Sequence, residues 1–255
     1  IVKDYYDPMD RIDSATFKVW DIDGPSSTGG YFQPGTDEFN VDRSDLSWGG
    51  VIIAHEFQHY IHDEYDRYEN LWINEGCADY SAYLVYDITS ATAGHVYAYL
   101  EYRPYFGLIV SDTSWQQDGS TAYYGNAFLY QLYMTHQYGG KNWSRALISQ
   151  SGRGTTGVDR ALSSLGETDR FRDSFQNWMA ATRLNSASVG NGEYEYPMQS
   201  YSHGQLKIGL SKTHSGVPIT TNRDFRAYSI TSIRFTSPPS GIDTFRLKMT
   251  LSSGT

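Results

Sequence analysis

Apolar positions change period along the chain, and the change marks out its regions. From Thr16 to Ile22 they alternate, Phe17 and Val19 against Trp20 and Ile22, which predicts a β-strand. The Gly-, Pro- and Ser-bearing segment Asp23 to Asp37 reads as a loop, and Glu38 to Asp42, with Phe39 and Val41 on one side, as a second short strand. Helical spacing then takes over. Ser44 or Ser47 can cap a helix running to about Asp66, with Ile53, Phe57, Tyr60 and Ile61 as its apolar stripe. A polar break around Glu64 to Asn70 precedes a second helix from near Trp72 to Tyr86, and a third is predicted around Ala93 to Tyr102. Past an irregular stretch, Arg103 to Ser120, a strong helix from Thr121 to Tyr138 is terminated by Gly139 and Gly140. Helices at Trp143 to Ser149, Val158 to Leu165 and Asp169 to Leu184 follow, and strand character returns at Gln205 to Leu210, Tyr228 to Phe235 and Thr244 to Leu251. The fold class expected is α+β: a sheet and two key helices over 1–90, a helical lobe over 91–203, and a small β module over 204–255.

Composition narrows the function. Asp and Glu number 29 against 20 Lys and Arg, and no basic cluster could track a phosphate backbone, so nucleic acid is excluded as the partner. No apolar run approaches the roughly 18 residues of a membrane span. Ile1 opens directly into a polar stretch without a signal-peptide pattern, so no signal or propeptide segment is expected within these residues. The 22 tyrosines and 24 glycines, with few lysines, suggest a secreted protein. Cys77 is the single cysteine, so any metal must be held by His and carboxylates.

His55-Glu56-Phe57-Gln58-His59 has the form H-E-x-x-H, and on a helix the i, i+4 spacing puts both imidazoles one turn apart on one face. The uncharged flanks Ile52, Ile53, Ala54, Tyr60 and Ile61 place the pair in a buried helix, where two idle histidines would be costly. A catalytic zinc site needs three protein ligands and an open position. His62 and Tyr65 occupy the places where a metzincin has Gly and His, so the third ligand lies elsewhere. In Trp72-Ile73-Asn74-Glu75-Gly76-Cys77-Ala78-Asp79, Glu75 is the ligand candidate. Asp79, one turn on, is placed to accept the other ring N–H of a zinc-bound histidine, His55 for preference. Two neutral imidazoles and a carboxylate leave zinc net positive, lowering the pKa of a bound water to about 7. Glu56 is the general base for attack on a scissile carbonyl.

These motifs resemble those of the gluzincins, in which H-E-x-x-H is followed by an Asn-Glu-bearing helix with an acidic residue four positions later. Thermolysin-like and aminopeptidase-N-like enzymes share that wording, although the gap from His59 to Glu75 is shorter here. The chain is most similar to hyicolysin-like metallopeptidases, on His-Glu-Phe-Gln-His, the Asn-Glu-Gly-x-Ala helix, Tyr124-Gly125-Asn126-Ala127 and Trp178-Met179-Ala180. The resemblance implies a zincin-like catalytic domain, one catalytic Zn2+, a protein or peptide substrate, and an oxyanion-stabilising tyrosine on the Thr121 to Tyr138 helix. Tyr124 is preferred, with Tyr123 as its rival. Endopeptidase activity is expected because no feature for gripping a free amino terminus is visible. An aminopeptidase of the same clan and a non-catalytic zinc-containing surface-binding module are the alternatives.

Other residues carry less. His62 reads as a neighbour of the site rather than a fourth ligand, Cys77 as packing, and His136 and His203, which have no spacing support as auxiliary transition-state donors, as exposed or satisfied histidines. Asp21-Ile22-Asp23-Gly24 has the look of a calcium loop, Ca2+ being a lesser expectation because the remaining EF-hand ligands are missing.

Overall fold

Phe39 explains how the sheet and the first long helix come together. It lies on β3 (Glu38–Asp42), the middle strand of three, between β1 (Thr16–Trp20), which runs parallel to it, and β2 (Gly30–Phe32), which runs antiparallel. Its register partners are Phe17 and Phe32, so three rings form a row across one face. Onto this row α2 (Gly49–Asp66) lays Phe57 and Tyr60, with ring centroids 5.6–5.9 Å from Phe32 and Phe39. Such tilted and edge-on pairs add to the burial of the rings themselves. The computed structural model describes residues 1–24, 28–102, 106–111, 113, 115, 120–209, 212–215 and 227–236.

Two local expectations are corrected. β2 falls inside the segment expected to be a loop; three residues are too few for alternation to show. The helix start is displaced from Ser44 or Ser47. The Asp42 carboxylate accepts the Ser44 N–H (2.6 Å) and the Ile22 N–H (2.8 Å), opens a 3-10 turn over Arg43–Trp48, and α2 begins only at Gly49. The Asp42 carboxylate thus caps the turn ahead of either serine and ties it to the segment after β1.

The second key helix, α3 (Leu71–Asp87), is buried over most of its first three turns and is tied to α2 by a hydrogen bond from Ser81 Oγ to the Ala54 carbonyl. Asp87, with φ at 69°, ends it. The chain continues through a π-helical turn (Ile88–Thr92), the short α4 (Ala93–Tyr97) and a second π-turn (Ala98–Tyr102). α5 (Ser120–Gln137) forms the centre of the core, with Phe128, Leu129, Tyr130, Leu132, Tyr133 and Met134 all buried. It approaches α3 closely because position 76 is glycine: a Cβ there would lie 2.7 Å from the Ala127 carbonyl oxygen. α6 (Lys141–Ile148), α7 (Thr155–Ser164) and α8 (Phe171–Leu184) complete the helical region, burying Trp143 and Trp178 completely. At the other end α1 (Val2–Tyr6), too short to read from periodicity, buries Tyr6, whose hydroxyl donates to the Cys77 carbonyl. The Cys77 thiol is buried, which pushes its pKa up, and it serves as packing.

Beyond α8 the described strands are short. β4 (Ser200–Tyr201) pairs antiparallel with β5 (Gly204–Gln205), and β6 (Lys212–Ser215) pairs parallel with β7 (Ile233–Thr236). Of the strand expected over Gln205 to Leu210, only Gln205 is in a strand among the described residues. Ile208 N–H instead bonds the Thr182 carbonyl, fastening that segment to α8. The strand expected at Thr244 to Leu251 lies outside the described residues. The molecule is α+β, and no described helix is long and apolar enough to cross a membrane.

Candidate metal centre

Because α2 commits Phe57 and Tyr60 to the sheet, its i, i+4 histidines fall on the side that faces a cleft of about 300 Å³. The cleft is lined on one side by Gly30, Tyr31, Phe32 and Pro34 from β2 and its turn, and on the other by Glu75 and Tyr124 from α3 and α5. His55 and His59 stand with ring centroids 4.8 Å apart, almost perpendicular. Glu75 Oε2 reaches both, 3.2 Å from His55 Nε2 and 3.4 Å from His59 Nε2. The donor atoms of these three residues all lie within 4.8 Å of one another. Among the described residues no other group of three His, Cys, Asp or Glu side chains is placed to hold a metal ion. His62 lines the cleft without joining the group, and Asp21 and Asp23 belong to no such group. Asp21 instead accepts the Gly24 N–H of its own turn.

Each imidazole is held from behind by α3. His55 Nδ1 donates to Asp79 Oδ1 at 3.0 Å, as the sequence spacing led us to expect, and His59 Nδ1 bonds Asn74 Oδ1 at 2.9 Å, which it did not. Both contacts turn Nε2 toward Glu75 and the cleft, and in the neutral ring they hold the proton on Nδ1, which leaves the Nε2 lone pair for a metal. The need for a second such partner was implicit in having two histidines, and Asn74 was the nearest polar residue to Glu75. Glu56 was missed in a different respect: its Oε2 accepts the backbone N–H of Phe32 at 2.8 Å, so the sheet edge itself positions the carboxylate. No sequence signal announces a backbone donor.

Charge is concentrated here. Burial works against protonation of His55, yet its hydrogen bonds to Asp79 and Glu75 outweigh burial and raise its pKa well above the usual value. His59 is raised too, by Glu75 against burial. Burial alone would push Glu75 up, but the two imidazoles beside it hold it down to about 2. Asp79 is likewise held low, against burial, by His95 and His55. A metal entering the site therefore displaces protons from these rings. Tyr124 has its pKa raised by burial, with the Glu75, Asp79 and Glu56 charges adding to it, so the phenol keeps its proton and stays a hydrogen-bond donor. Tyr123, its rival, is buried between Phe106 and Trp115 and does not line the cleft. His136 and His203 are exposed and away from it, the latter against Tyr97.

One further histidine belongs to the site and has no motif to mark it. His95, on α4, gives its Nδ1–H to the second oxygen of Asp79 at 2.7 Å and lies stacked on Tyr124, with centroids 4.9 Å apart.

No protein-family profile matches the chain, and no curated protein matches it, so the chemistry has to be argued from these side chains.

Proposed function

We propose that the protein is a zinc-dependent endopeptidase of the gluzincin type, with His55, His59 and Glu75 holding the metal and Glu56 serving as general base. The observation that carries this reading is the convergence of two Nδ1-anchored imidazoles and one carboxylate beside a second, separately positioned carboxylate in an open cleft. The donor set fits zinc: tetrahedral coordination at about 2.0–2.1 Å puts neighbouring donor atoms about 3.3 Å apart, and the two Nε2-to-Oε2 separations are 3.2 and 3.4 Å. Three protein ligands leave a position open, as catalysis needs and a structural site does not.

Bound there, zinc would polarise a scissile carbonyl and lower the pKa of a water to about 7. The protein's own groups do the rest. Glu56, pinned through one oxygen by Phe32 N–H, takes the proton of the attacking water and returns it to the leaving amine. Tyr124 stays protonated and donates to the oxygen that becomes negative as the carbonyl is attacked. A peptide substrate is supported by the cleft wall, where β2 is an edge strand and its backbone, apart from the Phe32 N–H that Glu56 takes, borders the cleft.

The test is zinc content by mass spectrometry on wild type and Glu75→Ala, beside hydrolysis of casein and of blocked and free-amino-terminus peptides by wild type and Glu56→Gln. About one zinc per chain, cleavage of blocked peptides, loss of zinc in Glu75→Ala, and a loss of activity of at least about 10³-fold with zinc retained in Glu56→Gln are expected. Zinc bound at full strength by Glu75→Ala, or an active Glu56→Gln, would overturn the assignment, and cleavage confined to free amino termini would make the enzyme an exopeptidase.

A further inference from the structure

Asp79 is shared between two imidazoles, and only one of them faces the metal site. Its side chain is 3% exposed, Oδ1 taking the His55 Nδ1–H and Oδ2 the His95 Nδ1–H. On an unbroken helix residues 79 and 95 would lie about 24 Å apart. They meet because Asp87 ends α3 in a left-handed conformation and the chain returns through a π-turn to α4. π-turns are uncommon in helices and concentrate at functional sites. The ring so placed is not idle. It stacks at 29° on Tyr124, whose own ring lies 6.1 Å from that of His55. Tyr124 also meets Trp115 edge-on, at 5.1 Å. The backbones also close up at this point, since any Cβ at position 125 would collide with the His95 carbonyl. Gly125 thus lets α4 and α5 approach until the two rings touch.

We propose that His95 is a positioning residue for Tyr124. Asp79 fixes the plane of His95, His95 and Trp115 fix the plane of Tyr124, and the phenol is thereby aimed at the cleft that Tyr124 lines. The carboxylate that orients a metal ligand then also orients the oxyanion donor, so metal geometry and donor geometry are set by one anchor. A donor misplaced by about 1 Å loses much of its effect on a transition state, which makes the residue behind it consequential without touching substrate. This rests on the peptidase reading and on the donor role of Tyr124.

Two substitutions separate the contacts of His95. His95→Gln keeps an N–H for Asp79 and loses the stacked ring; His95→Phe keeps a ring and loses the N–H. His95→Gln is expected to lower kcat about 10-fold to 100-fold with KM nearly unchanged and one zinc retained. In the Tyr124→Phe background the same substitution is expected to cost less than about 2-fold, because a residue that acts through Tyr124 has nothing left to position. Crystals of the metal-free protein supply a readout apart from activity: the Tyr124 ring should leave its stacked placement in His95→Gln, which lacks the stacked ring, and shift in His95→Phe, whose ring Asp79 no longer holds. Equal losses in the presence and absence of the Tyr124 hydroxyl, wild-type kcat in His95→Gln, an unmoved Tyr124 ring, or a fully active Tyr124→Phe would each overturn the inference while leaving the zinc assignment standing. A wild type without peptidase activity would instead overturn the reading on which it rests.

Discussion

The two histidines of the motif sit one helical turn apart, yet their surroundings differ. His55 leans on Asp79, a buried carboxylate, whereas His59 leans on Asn74, a neutral amide. A carboxylate behind an imidazole both orients it and makes it a stronger electron donor to a metal; an amide carbonyl mainly orients it. The contrast continues outward. Behind His55 the chain of contacts runs through Asp79 to His95 and on to Tyr124, all polar groups facing or abutting the cleft. Next to His59 stands His62, whose pKa is drawn down to about 3 by burial and by its neighbour His59, and whose Nδ1 bonds Gln58 at 3.3 Å. It is a neutral, packed residue. Behind His55, then, stand a buried charge and the Tyr124 phenol; behind His59, itself one of the three candidate ligands, stands neutral scaffold. The lesson is that a symmetric motif does not imply symmetric roles; the helix behind it assigns them.

Metal affinity is the most direct way to break this contrast. Asp79→Ala is expected to weaken zinc binding about 100-fold and Asn74→Ala about 10-fold, the two ends of the range found for groups that orient metal ligands. Competition with a chromophoric chelator measures both. Equal losses would show that orientation alone matters and that the charge of Asp79 does not. Asp79→Asn then sharpens the result. Its amide oxygen can still accept from His55, so the loss should shrink to about 10-fold and match the His59 side. A loss as large as that of Asp79→Ala would mean that the carboxylate charge dominates outright.

How much of this was legible beforehand follows from the distances along the chain over which the contacts are made. His55, Glu56 and His59 share one helix, and Glu75 and Asp79 share the next, so periodicity brought out both sets and the structure unites the two histidines and Glu75 around one point. The α+β class and the main helices were readable for the same reason, since α2, α3, α5 and α8 are long enough to display a period. What stayed hidden was either short or non-local. α1 has five residues and β2 three, below the length at which a pattern can be told from chance. His95 reaches Asp79 only after the chain reverses at Asp87, and Phe32 reaches Glu56 through a backbone N–H that every residue but proline possesses. Asn74 sat within the motif itself, but no role attached to it until the second imidazole was seen to need a partner.

The turn between the two key helices offers the smallest and subtlest test, on the scaffold side of the contrast. Glu69, five residues before Asn74 in sequence, is partly buried; its Oε1 accepts the Asn70 N–H at 2.5 Å and the Gly154 N–H at 2.7 Å. Burial pushes its pKa up to about 7 even though both N–H groups pull the other way, while Asp66 adds to the rise. A carboxyl group whose pKa is higher in the folded state than in the unfolded chain binds its proton more tightly when folded. Its contribution to stability is complete below the unfolded value near 4.5 and is lost as pH rises through about 7. The wild type should therefore lose roughly 1–3 kcal/mol relative to Glu69→Gln between pH 5 and pH 8, since the amide can accept the same two N–H groups without acquiring charge. Urea unfolding of both proteins at several pH values measures this, and taking the difference between them cancels the other titrating groups. Parallel curves would show that Glu69 is solvated enough to ionise freely.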